Sequence, residues 1–368
     1  MLKSILTSLI LLFSSISYGF ETKAKYAILI DANTHAILLD KNSHTPMAPS
    51  SMSKVMTAYI AFEYVKSGQV KLNDSFSISE KAWKMGGTRM FIPINEKVSF
   101  EDLLKGVIID SGNDAAVAIA EILTGSEEEF ANKMNETAKK LGMNNSNFTN
   151  ATGWPDKNNY SSAYDLALLS IHLINDYPEY YHYFSHTEFT YNKIKQANKN
   201  GLLYRNIGAD GLKTGHAEEA GYGLIASVKK GDRRLIAVVN GLKSKKERTS
   251  ETEALINYGF MNFSNINLVD KNQIIEKIKV IDGSRKSIDL ISNSNIYVTV
   301  LKHQAKDLKF KIHYQAPILA PVELNATIGE LIIESPSGKI TYPLFSAQEV
   351  KKASFLERVQ GNLSNFFE

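Results

Sequence analysis

Ser51 and Lys54 are two residues whose types and spacing could together perform catalysis. On a helix, residues three positions apart share a face, so the hydroxyl and the amine can approach each other. A serine hydroxyl is a weak nucleophile until a base removes its proton, and a lysine can be that base if burial lowers its pKa. Ser227 and Lys230 have the same spacing but fall at the end of a predicted strand, where side chains three apart point to opposite faces. The Ser-x-x-Lys pattern alone is therefore a weak signal.

Two further short motifs could complete a site. Ser111-Gly112-Asn113 supplies a hydroxyl and an amide between two predicted helices, although the same residues also make ordinary turns. Lys213-Thr214-Gly215 supplies an amine and a hydroxyl on a predicted strand, where a solvated lysine is the common alternative. The three motifs together, in this order, are far more specific than any one of them.

The elements predicted around these motifs would bring the distant segments together. Apolar periodicity and turn residues predict strands at 27–30 and 36–39, helices at 51–65, 101–109, 114–123, 127–141 and 163–174, strands at 211–215, 222–228 and 235–239, and a closing helix at 253–260. Strands from both ends of the segment, with helices between them, indicate one sheet covered by helices. This domain is expected over residues 24–264.

The pattern changes after residue 264. Short alternating runs, punctuated by glycine and proline, predict a small β-rich domain over residues 265–346. Residues 347–368 differ again, because six apolar side chains can share one helical face there: Phe355, Leu356, Val359, Leu363, Phe366 and Phe367. Such an amphipathic helix could lie in a membrane surface or dock on its own protein, and the pattern favours neither.

Composition excludes several classes of function. The chain has no cysteine, so disulfides, cysteine nucleophiles and Cys-ligated zinc are excluded, and a net charge of +3 gives no reason to expect a nucleic-acid partner. His182 and His186 have helical metal-ligand spacing but lack the glutamate of a zinc protease motif, so we predict no metal site.

A positive start, a short apolar stretch and small residues predict a cleaved signal peptide over residues 1–19, and therefore export.

The motifs and their surroundings resemble those of the D-alanyl-D-alanine carboxypeptidases, the low-molecular-mass penicillin-binding proteins with a C-terminal β-rich domain. The likeness runs over nearly the whole mature chain, and it includes the strings at 48–54, 161–167, 196–203, 210–216 and 220–222. It implies an α/β (α+β) serine β-lactamase/transpeptidase-like domain, with an antiparallel sheet and helices. It also implies removal of the terminal D-alanine from peptidoglycan pentapeptides, acylation by β-lactams, a role in cell shape, and no cofactor.

The resemblance assigns catalytic roles to the first two motifs. It implies that Ser51 attacks the carbonyl between the two terminal D-alanines, with Lys54 as general base. Ser111 would relay a proton toward the leaving amine, and Asn113 would hold the substrate backbone. The backbone N–H groups of Ser51 and His216 would form the oxyanion hole.

The remaining matches would bind the substrate. Lys213 would supply positive charge, Thr214 would donate to the substrate carboxylate, and Gly215 belongs to the same motif. Lys199 stands where the family often has arginine, and an ammonium group cannot bind a carboxylate bidentately. Arg248 corresponds to a family arginine before the closing helix. The enzyme is expected to be peripheral on the periplasmic face of the cytoplasmic membrane, bound through its C-terminal helix.

Two other functions are compatible with the motifs. A class A serine β-lactamase needs a carboxylate to activate the deacylating water, usually a glutamate after the second motif. Residues 137–178 contain no glutamate, and Asp156, Asp165 and Asp176 are their carboxylates. The second alternative is a non-catalytic envelope protein that binds peptidoglycan or a partner protein, which would not need Ser51, Lys54 and Lys213 together.

Overall fold

The computed structural model describes residues 20–335 and 338–354. The expected signal peptide, residues 1–19, lies outside the described residues, and so does most of the expected C-terminal helix. The first domain is built on a five-stranded antiparallel sheet with strand order β2-β1-β9-β8-β7. Its strands are β1 Tyr26–Asp31, β2 Ile37–Lys41, β7 Ala209–Ala217, β8 Gly221–Lys230 and β9 Arg233–Leu242.

Both faces of this sheet are covered, which explains why β1 and β9 each carry a continuous apolar run. On one face, Ile28, Ile225 and Val238 pack into the main helical core. Alternate residues of the same strands point to the other face, where Leu224 packs with Leu255 and the rest of a smaller cluster. The covered antiparallel sheet confirms the predicted fold class of this domain.

Seven α-helices belong to the described part of the first domain. They are α1 Lys54–Lys66, α2 Glu80–Lys84, α3 Phe100–Lys105, α4 Asn113–Thr124, α5 Glu127–Lys140, α6 Ala163–Asp176 and α7 Lys245–Asn262. The closing helix starts earlier than predicted because Ser244 caps it, accepting a hydrogen bond of 3.1 Å from the backbone N–H of Glu247. Its first two turns are polar, so apolar periodicity could not reveal them. Arg248 therefore lies inside this helix and not before it, which corrects the prediction.

Two pairs of short antiparallel strands were not predicted. They consist of β3 Ser75–Ser77 with β4 Lys97–Ser99 and of β5 Glu188–Tyr191 with β6 Ile194–Ala197. Strands of three or four residues carry too little alternation to be recognised in a sequence. The pair β5-β6 is a hairpin, and it matters for the site because it leads into Lys199.

The second domain is β-rich, as predicted. Its described strands are β10 Phe263–Val269, β11 Ile274–Ile281, β12 Ser287–Ile291, β13 Ile296–Leu301, β14 Lys309–Tyr314, β15 Ile318–Leu319, β16 Thr327–Ser335 and β17 Gly338–Ser346. They form a six-stranded sheet, β14-β16-β17-β12-β11-β15, and the pair β10-β13 around a separate apolar core.

The helix expected over residues 347–368 is not present in residues 347–354, which corrects that prediction. These residues are extended, with bridges from Val350 to Val322 and from Lys352 to Gly283. Val350 is fully buried in the core of the second domain, so this segment completes that domain. Residues 355–368, which carry the apolar pattern, lie outside the described residues.

Candidate active site

Ser51 lies just before the first helix, in a turn that closely approaches a glycine on another loop. It belongs to a 3-10 turn, Ser50–Ser53, that leads directly into α1. Gly153 has a φ of +75°, and a Cβ at that position would lie 1.8 Å from the carbonyl oxygen of Ser50. Glycine is required here because the two backbones approach so closely.

Lys54 forms the centre of the site. The residue is 1% exposed, and its Nζ lies 3.1 Å from Ser51 Oγ, 2.7 Å from Asn113 Oδ1 and 2.6 Å from the carbonyl oxygen of Thr152. The two carbonyl oxygens can only accept hydrogen bonds, whereas the serine hydroxyl can also donate one. When the amine is neutral, its two hydrogens therefore go to Asn113 and Thr152, and its lone pair is directed at Ser51.

The electrostatic surroundings favour that neutral form. Burial is the largest cause that lowers the pKa of Lys54, followed by the positive charge of Lys199, whereas Asp114 acts in the opposite direction. The resulting pKa is about 7. A base with a pKa near the working pH suits general base catalysis.

The second motif lies at a break between two helical segments. A π-helical turn, Gly106–Asp110, follows α3, and Ser111 then takes a left-handed conformation with a φ of 65° before α4 begins at Asn113. Ser111 is buried. The Asn113 amide is held at both ends, because Oδ1 accepts from Lys54 and Nδ2 donates to the carbonyl oxygen of Gly86 at 2.9 Å. The structure therefore gives Asn113 a contact with the base in addition to any contact with substrate.

The third motif lies on β7, the terminal strand of the sheet, directly beside the turn that carries Ser51. A Cβ on Gly215 would lie 2.8 Å from the carbonyl oxygen of Pro49, so the strand and the turn are in close contact. Lys213 and Thr214 are both buried. The pKa of Lys213 lies well below its usual value because of burial and then the nearby charges of Lys54 and Lys199, among others. The three motifs therefore converge in space.

His216 continues the same strand but is exposed. Its ring stacks on Tyr222 across the hairpin, with the ring centroids 4.0 Å apart. The imidazole of His216 is therefore exposed, and its backbone is the part of the residue that lies next to Gly215.

Lys199 and Arg248 lie at the edge of the site and are linked to each other. Lys199 Nζ donates to Thr88 Oγ1 at 2.9 Å, and burial is the main cause that lowers its pKa. Arg248 is buried, and its Nη2 donates to the carbonyl oxygen of Lys199 at 3.0 Å. Both cations depress the pKa of Lys213, so they share its electrostatic environment.

Asp110 is a site residue that sequence reasoning missed. It precedes Ser111, is 1% exposed, and accepts one hydrogen bond, 3.3 Å from Gln196 Nε2 to its Oδ2. Its Oδ1 has no hydrogen-bond partner among the described residues. Burial, opposed by the charge of Lys199, raises the pKa of Asp110 to about 7. No motif includes this residue, and its partners come from distant parts of the chain.

The two histidines with metal-ligand spacing lie in a 3-10 turn, Tyr181–Ser185, and just after it. The ring centroids of His182 and His186 are 5.8 Å apart. Within residues 20–335 and 338–354, no group of three or more His, Cys, Asp or Glu side chains could hold a metal ion. Within the same residues, no helix has both the length and the apolar character needed to cross a bilayer.

Comparisons with known proteins give the same assignment for both domains. A family model for D-alanyl-D-alanine carboxypeptidases matches residues 14–244, and a model for the C-terminal domain of penicillin-binding protein 5 matches residues 263–352. D-alanyl-D-alanine carboxypeptidase DacF of Bacillus subtilis is 36% identical over 358 residues, which cover 94% of this chain and 91% of the relative. DacA of Haemophilus influenzae is 37% identical over 320 residues, which cover 85% of this chain and 81% of that relative.

Solved structures extend the likeness to three dimensions. The crystal structure of penicillin-binding protein 5 from Haemophilus influenzae has a TM-score of 0.86 at 35% identity and covers 91% of this chain and 99% of its own. Penicillin-binding protein D2 from Listeria monocytogenes, in a cefotaxime-bound form, has a TM-score of 0.61 at 31% identity and covers 66% of this chain and 99% of its own. The chain therefore belongs to the D-alanyl-D-alanine carboxypeptidase family and is a serine peptidase of peptidoglycan metabolism.

Proposed function

We propose that the chain removes the terminal D-alanine from peptidoglycan pentapeptides through an acyl-enzyme on Ser51. The observation that carries this proposal is the 3.1 Å contact between Lys54 Nζ and Ser51 Oγ in a buried site. Because the pKa of Lys54 is about 7, a large fraction of the amine is neutral at neutral pH. The neutral amine takes the serine proton as the hydroxyl attacks the carbonyl between the two D-alanines. Loss of D-alanine leaves an ester on Ser51, and water then hydrolyses this ester, which releases the shortened peptide and restores the hydroxyl.

Two backbone N–H groups, of Ser51 and His216, stabilise the negative charge that develops on the attacked carbonyl oxygen. Donors fixed before the reaction stabilise such a charge without reorganising. The proposal is supported by the close contact of the two segments that carry these groups, since a Cβ on Gly215 would lie 2.8 Å from the carbonyl oxygen of Pro49.

The leaving D-alanine is bound through its carboxylate and receives a proton. Thr214 donates to the carboxylate and Lys213 supplies positive charge beside it. Ser111 relays the proton from Lys54 to the leaving amine. Asn113 orients Lys54 with its Oδ1, and the amide N–H that does not bind Gly86 is free to hold the substrate backbone.

Lys199 and Arg248 contribute positive charge at the carboxylate end of the substrate. Lys199 acts as a point charge, since its ammonium group lacks the planar fork of a guanidinium group. Arg248 supports Lys199 through its hydrogen bond to the carbonyl oxygen of that residue.

β-Lactams acylate the same serine and remain attached, because the ring keeps the leaving group on the enzyme. The relative from Listeria monocytogenes has been solved in cefotaxime-bound and ampicillin-bound forms, which supports this part of the proposal. Rapid hydrolysis of the β-lactam ester, as in a class A β-lactamase, would need a free carboxylate. Asp165 is buried and accepts hydrogen bonds from Ser146 and from the N–H of Asn145, so it serves the local structure.

The decisive experiment measures D-alanine release from diacetyl-Lys-D-Ala-D-Ala, together with labelling by fluorescent penicillin. We expect both in the wild type, and Ser51→Ala should lower release by at least about a thousandfold and abolish labelling. Ser227→Ala, which removes the hydroxyl of the other Ser-x-x-Lys pattern, is the matched control. A wild type that neither releases D-alanine nor takes the label would instead favour the non-catalytic envelope protein.

The proposal also gives the enzyme a location. Residues 1–19 would direct export and be removed, and residues 355–368 would hold the enzyme peripherally on the periplasmic face of the cytoplasmic membrane. The support is the sequence pattern of both segments. Deleting residues 355–368 tests the second part without disturbing Val350 and Lys352, which pair within the second domain. We expect the shortened enzyme to leave the membrane fraction with its activity intact, and unchanged fractionation would contradict this.

A further inference from the structure

One end of the second domain carries exposed apolar side chains on two neighbouring strands. Ile281, the last residue of β11, is 41% exposed, and Leu319 on β15 is 59% exposed. The two residues are partners in a parallel pair of strands, so their side chains point to the same face of the sheet. Val280, one residue earlier, points to the opposite face and is buried in the core of the domain. The outward face at this end is therefore apolar.

Basic residues are concentrated around this apolar pair. The turn that follows β11 lies against the segment that follows β17, because the N–H of Ser284 donates to the carbonyl oxygen of Lys351 and Gly283 forms a bridge with Lys352. Together with the end of β11, these segments contribute five exposed basic residues: Lys279, Arg285, Lys286, Lys351 and Lys352. Among the described residues, none of the five forms an ion pair with a carboxylate.

Carboxylates are fewer at the same end of the domain. Asp282 is exposed in the turn after β11, and Glu323 and Glu349 are exposed beside the bridge between Val322 and Val350. Five positive charges against three negative ones leave this end positive, which attracts an anionic surface. Apolar side chains bordered by lysine and arginine are the combination that binds at the interface of an anionic membrane.

The path of the chain brings the proposed membrane segment to this same end. The N–H of Ala353 donates to the carbonyl oxygen of Asp282, which directly follows Ile281. The chain therefore enters residues 355–368 from beside the apolar pair. Once that segment binds a bilayer, the pair is held close to lipid, and a tethered second contact needs little affinity of its own.

A folded partner or a second copy of the chain fits this end less well than a lipid surface does. Ile281 and Leu319 offer far less than the area of roughly 800 Å² per partner that a stable protein interface buries. A bilayer requires no complementary shape, and it offers hydrocarbon to the apolar pair and anionic headgroups to the basic residues. The chemistry of this end therefore favours lipid.

We propose that this end of the second domain rests on the membrane, with Ile281 and Leu319 inserted into the bilayer surface and the five basic residues at its headgroups. The partner is a bilayer that contains anionic lipid. The inference rests on the membrane location proposed above, and it adds that the folded second domain is itself in contact with lipid, beside residues 355–368.

A fluorescent label reports whether this end meets lipid. The chain has no cysteine, so Leu319→Cys and Ile274→Cys each provide a single site for an environment-sensitive fluorophore. Ile274 is the matched control, because it is 58% exposed at the opposite end of β11, about 23 Å from Ile281. With vesicles of phosphatidylethanolamine and phosphatidylglycerol, the emission of labelled Leu319→Cys should rise at least about threefold. The emission of labelled Ile274→Cys should stay unchanged.

Substitutions measure the apolar contribution. Ile281→Ser/Leu319→Ser should lower the partition of the enzyme into these vesicles about tenfold, because two apolar side chains no longer leave water. Ile274→Ser/Phe310→Ser removes two exposed apolar side chains that line a groove elsewhere in the same domain, and it should keep the wild-type partition. Penicillin labelling checks that each variant is folded.

The charged contribution is measured by comparing anionic with neutral vesicles. Arg285→Gln/Lys286→Gln should lower partition into the vesicles with phosphatidylglycerol about tenfold and leave partition into phosphatidylcholine vesicles unchanged. Lys306→Gln/Lys309→Gln removes two exposed charges from another part of the second domain and should change neither value.

The outcomes separate this inference from the proposed location. Unchanged emission of labelled Leu319→Cys, while the enzyme still sediments with the vesicles through residues 355–368, would overturn the lipid contact alone. Emission that rises with protein concentration in the absence of vesicles would show that a second copy covers this end, and it would overturn the contact as well. An enzyme that binds neither kind of vesicle would overturn the proposed location and this inference with it.

Discussion

The chain contains the Ser-x-x-Lys pattern twice, and the two regions have different structures. Ser51 and Lys54 lie on one turn of helical backbone, and their side-chain polar atoms are 3.1 Å apart. Ser227 and Lys230 lie on β8, where Ser227 is fully buried and Lys230 is exposed at the end of the strand. Lys230 Nζ lies over the ring of Phe260, 4.7 Å from its centroid.

The difference shows that the backbone and the surroundings make the pattern reactive. A spacing of three brings side chains together on a helix and separates them on a strand. Lys54 is buried among three oxygen atoms, and this burial lowers its pKa to about 7. Lys230 is exposed at the end of β8, and its amine is in contact with water.

The largest effect is expected from removing the amine at each position. Lys54→Met should lower the rate of acylation by fluorescent penicillin by about a thousandfold, because the hydroxyl loses its general base. Lys230→Met makes the same substitution in the second pattern and should leave the rate within about twofold. Comparable losses in the two variants would show that the two regions do not differ as the structure indicates.

A smaller effect is expected from the residue that orients the base. Asn113→Ala removes one of the two carbonyl acceptors of Lys54 and leaves the Gly86 carbonyl without its donor. We expect acylation to slow by about a hundredfold, as misplaced catalytic groups do. Asn262→Ala removes an exposed amide that bonds only within α7 and serves as the control. An acylation rate in Asn113→Ala equal to that of the wild type would mean that Lys54 does not need the contact with Asn113.

The smallest of these effects concerns the glycine beside the nucleophile. Gly153→Ala should slow acylation by about tenfold, because the new Cβ would displace the backbone of Ser50. Gly68→Ala is a matched control, since Gly68 has a similar φ of +76° but no atom within 4 Å of the added Cβ. It should lose about 1 kcal/mol of stability in thermal unfolding and keep its acylation rate. Equal rates in the two variants would rule out the steric explanation.

The sequence predicted the parts of the site that local pattern determines. Each motif falls on the kind of element expected for it: Lys54 on a helix, Ser111 at a break between helices and Lys213 on a strand. The second Ser-x-x-Lys pattern lies on a strand, as the sequence predicts, so its two side chains are not brought together. Short-range periodicity carries this information because helices and strands differ in period.

Contacts between distant segments could not be predicted in this way. The carbonyl oxygen of Thr152 binds a lysine 98 positions earlier, and only the tertiary fold brings them together. Asp110 belongs to no motif, and the residue that donates a hydrogen bond to it, Gln196, lies 86 positions later on a hairpin. The path of residues 347–354 likewise depends on a distant contact, because Val350 is buried in the core of the second domain and pairs with Val322. The helical pattern of the residues that follow hid this contact in the sequence.

The pH dependence of acylation tests the central claim most directly. Lys54 is protonated below its pKa and then cannot accept the serine proton, so the second-order rate constant for fluorescent penicillin should fall about tenfold per pH unit below about pH 7. It should level off by about pH 8. Asp110 also titrates near pH 7, so the same profile is measured for Asp110→Asn, in which the fall should persist. A rate that is constant from about pH 5 to about pH 8, or a fall that disappears in Asp110→Asn, would contradict a neutral Lys54 as the base.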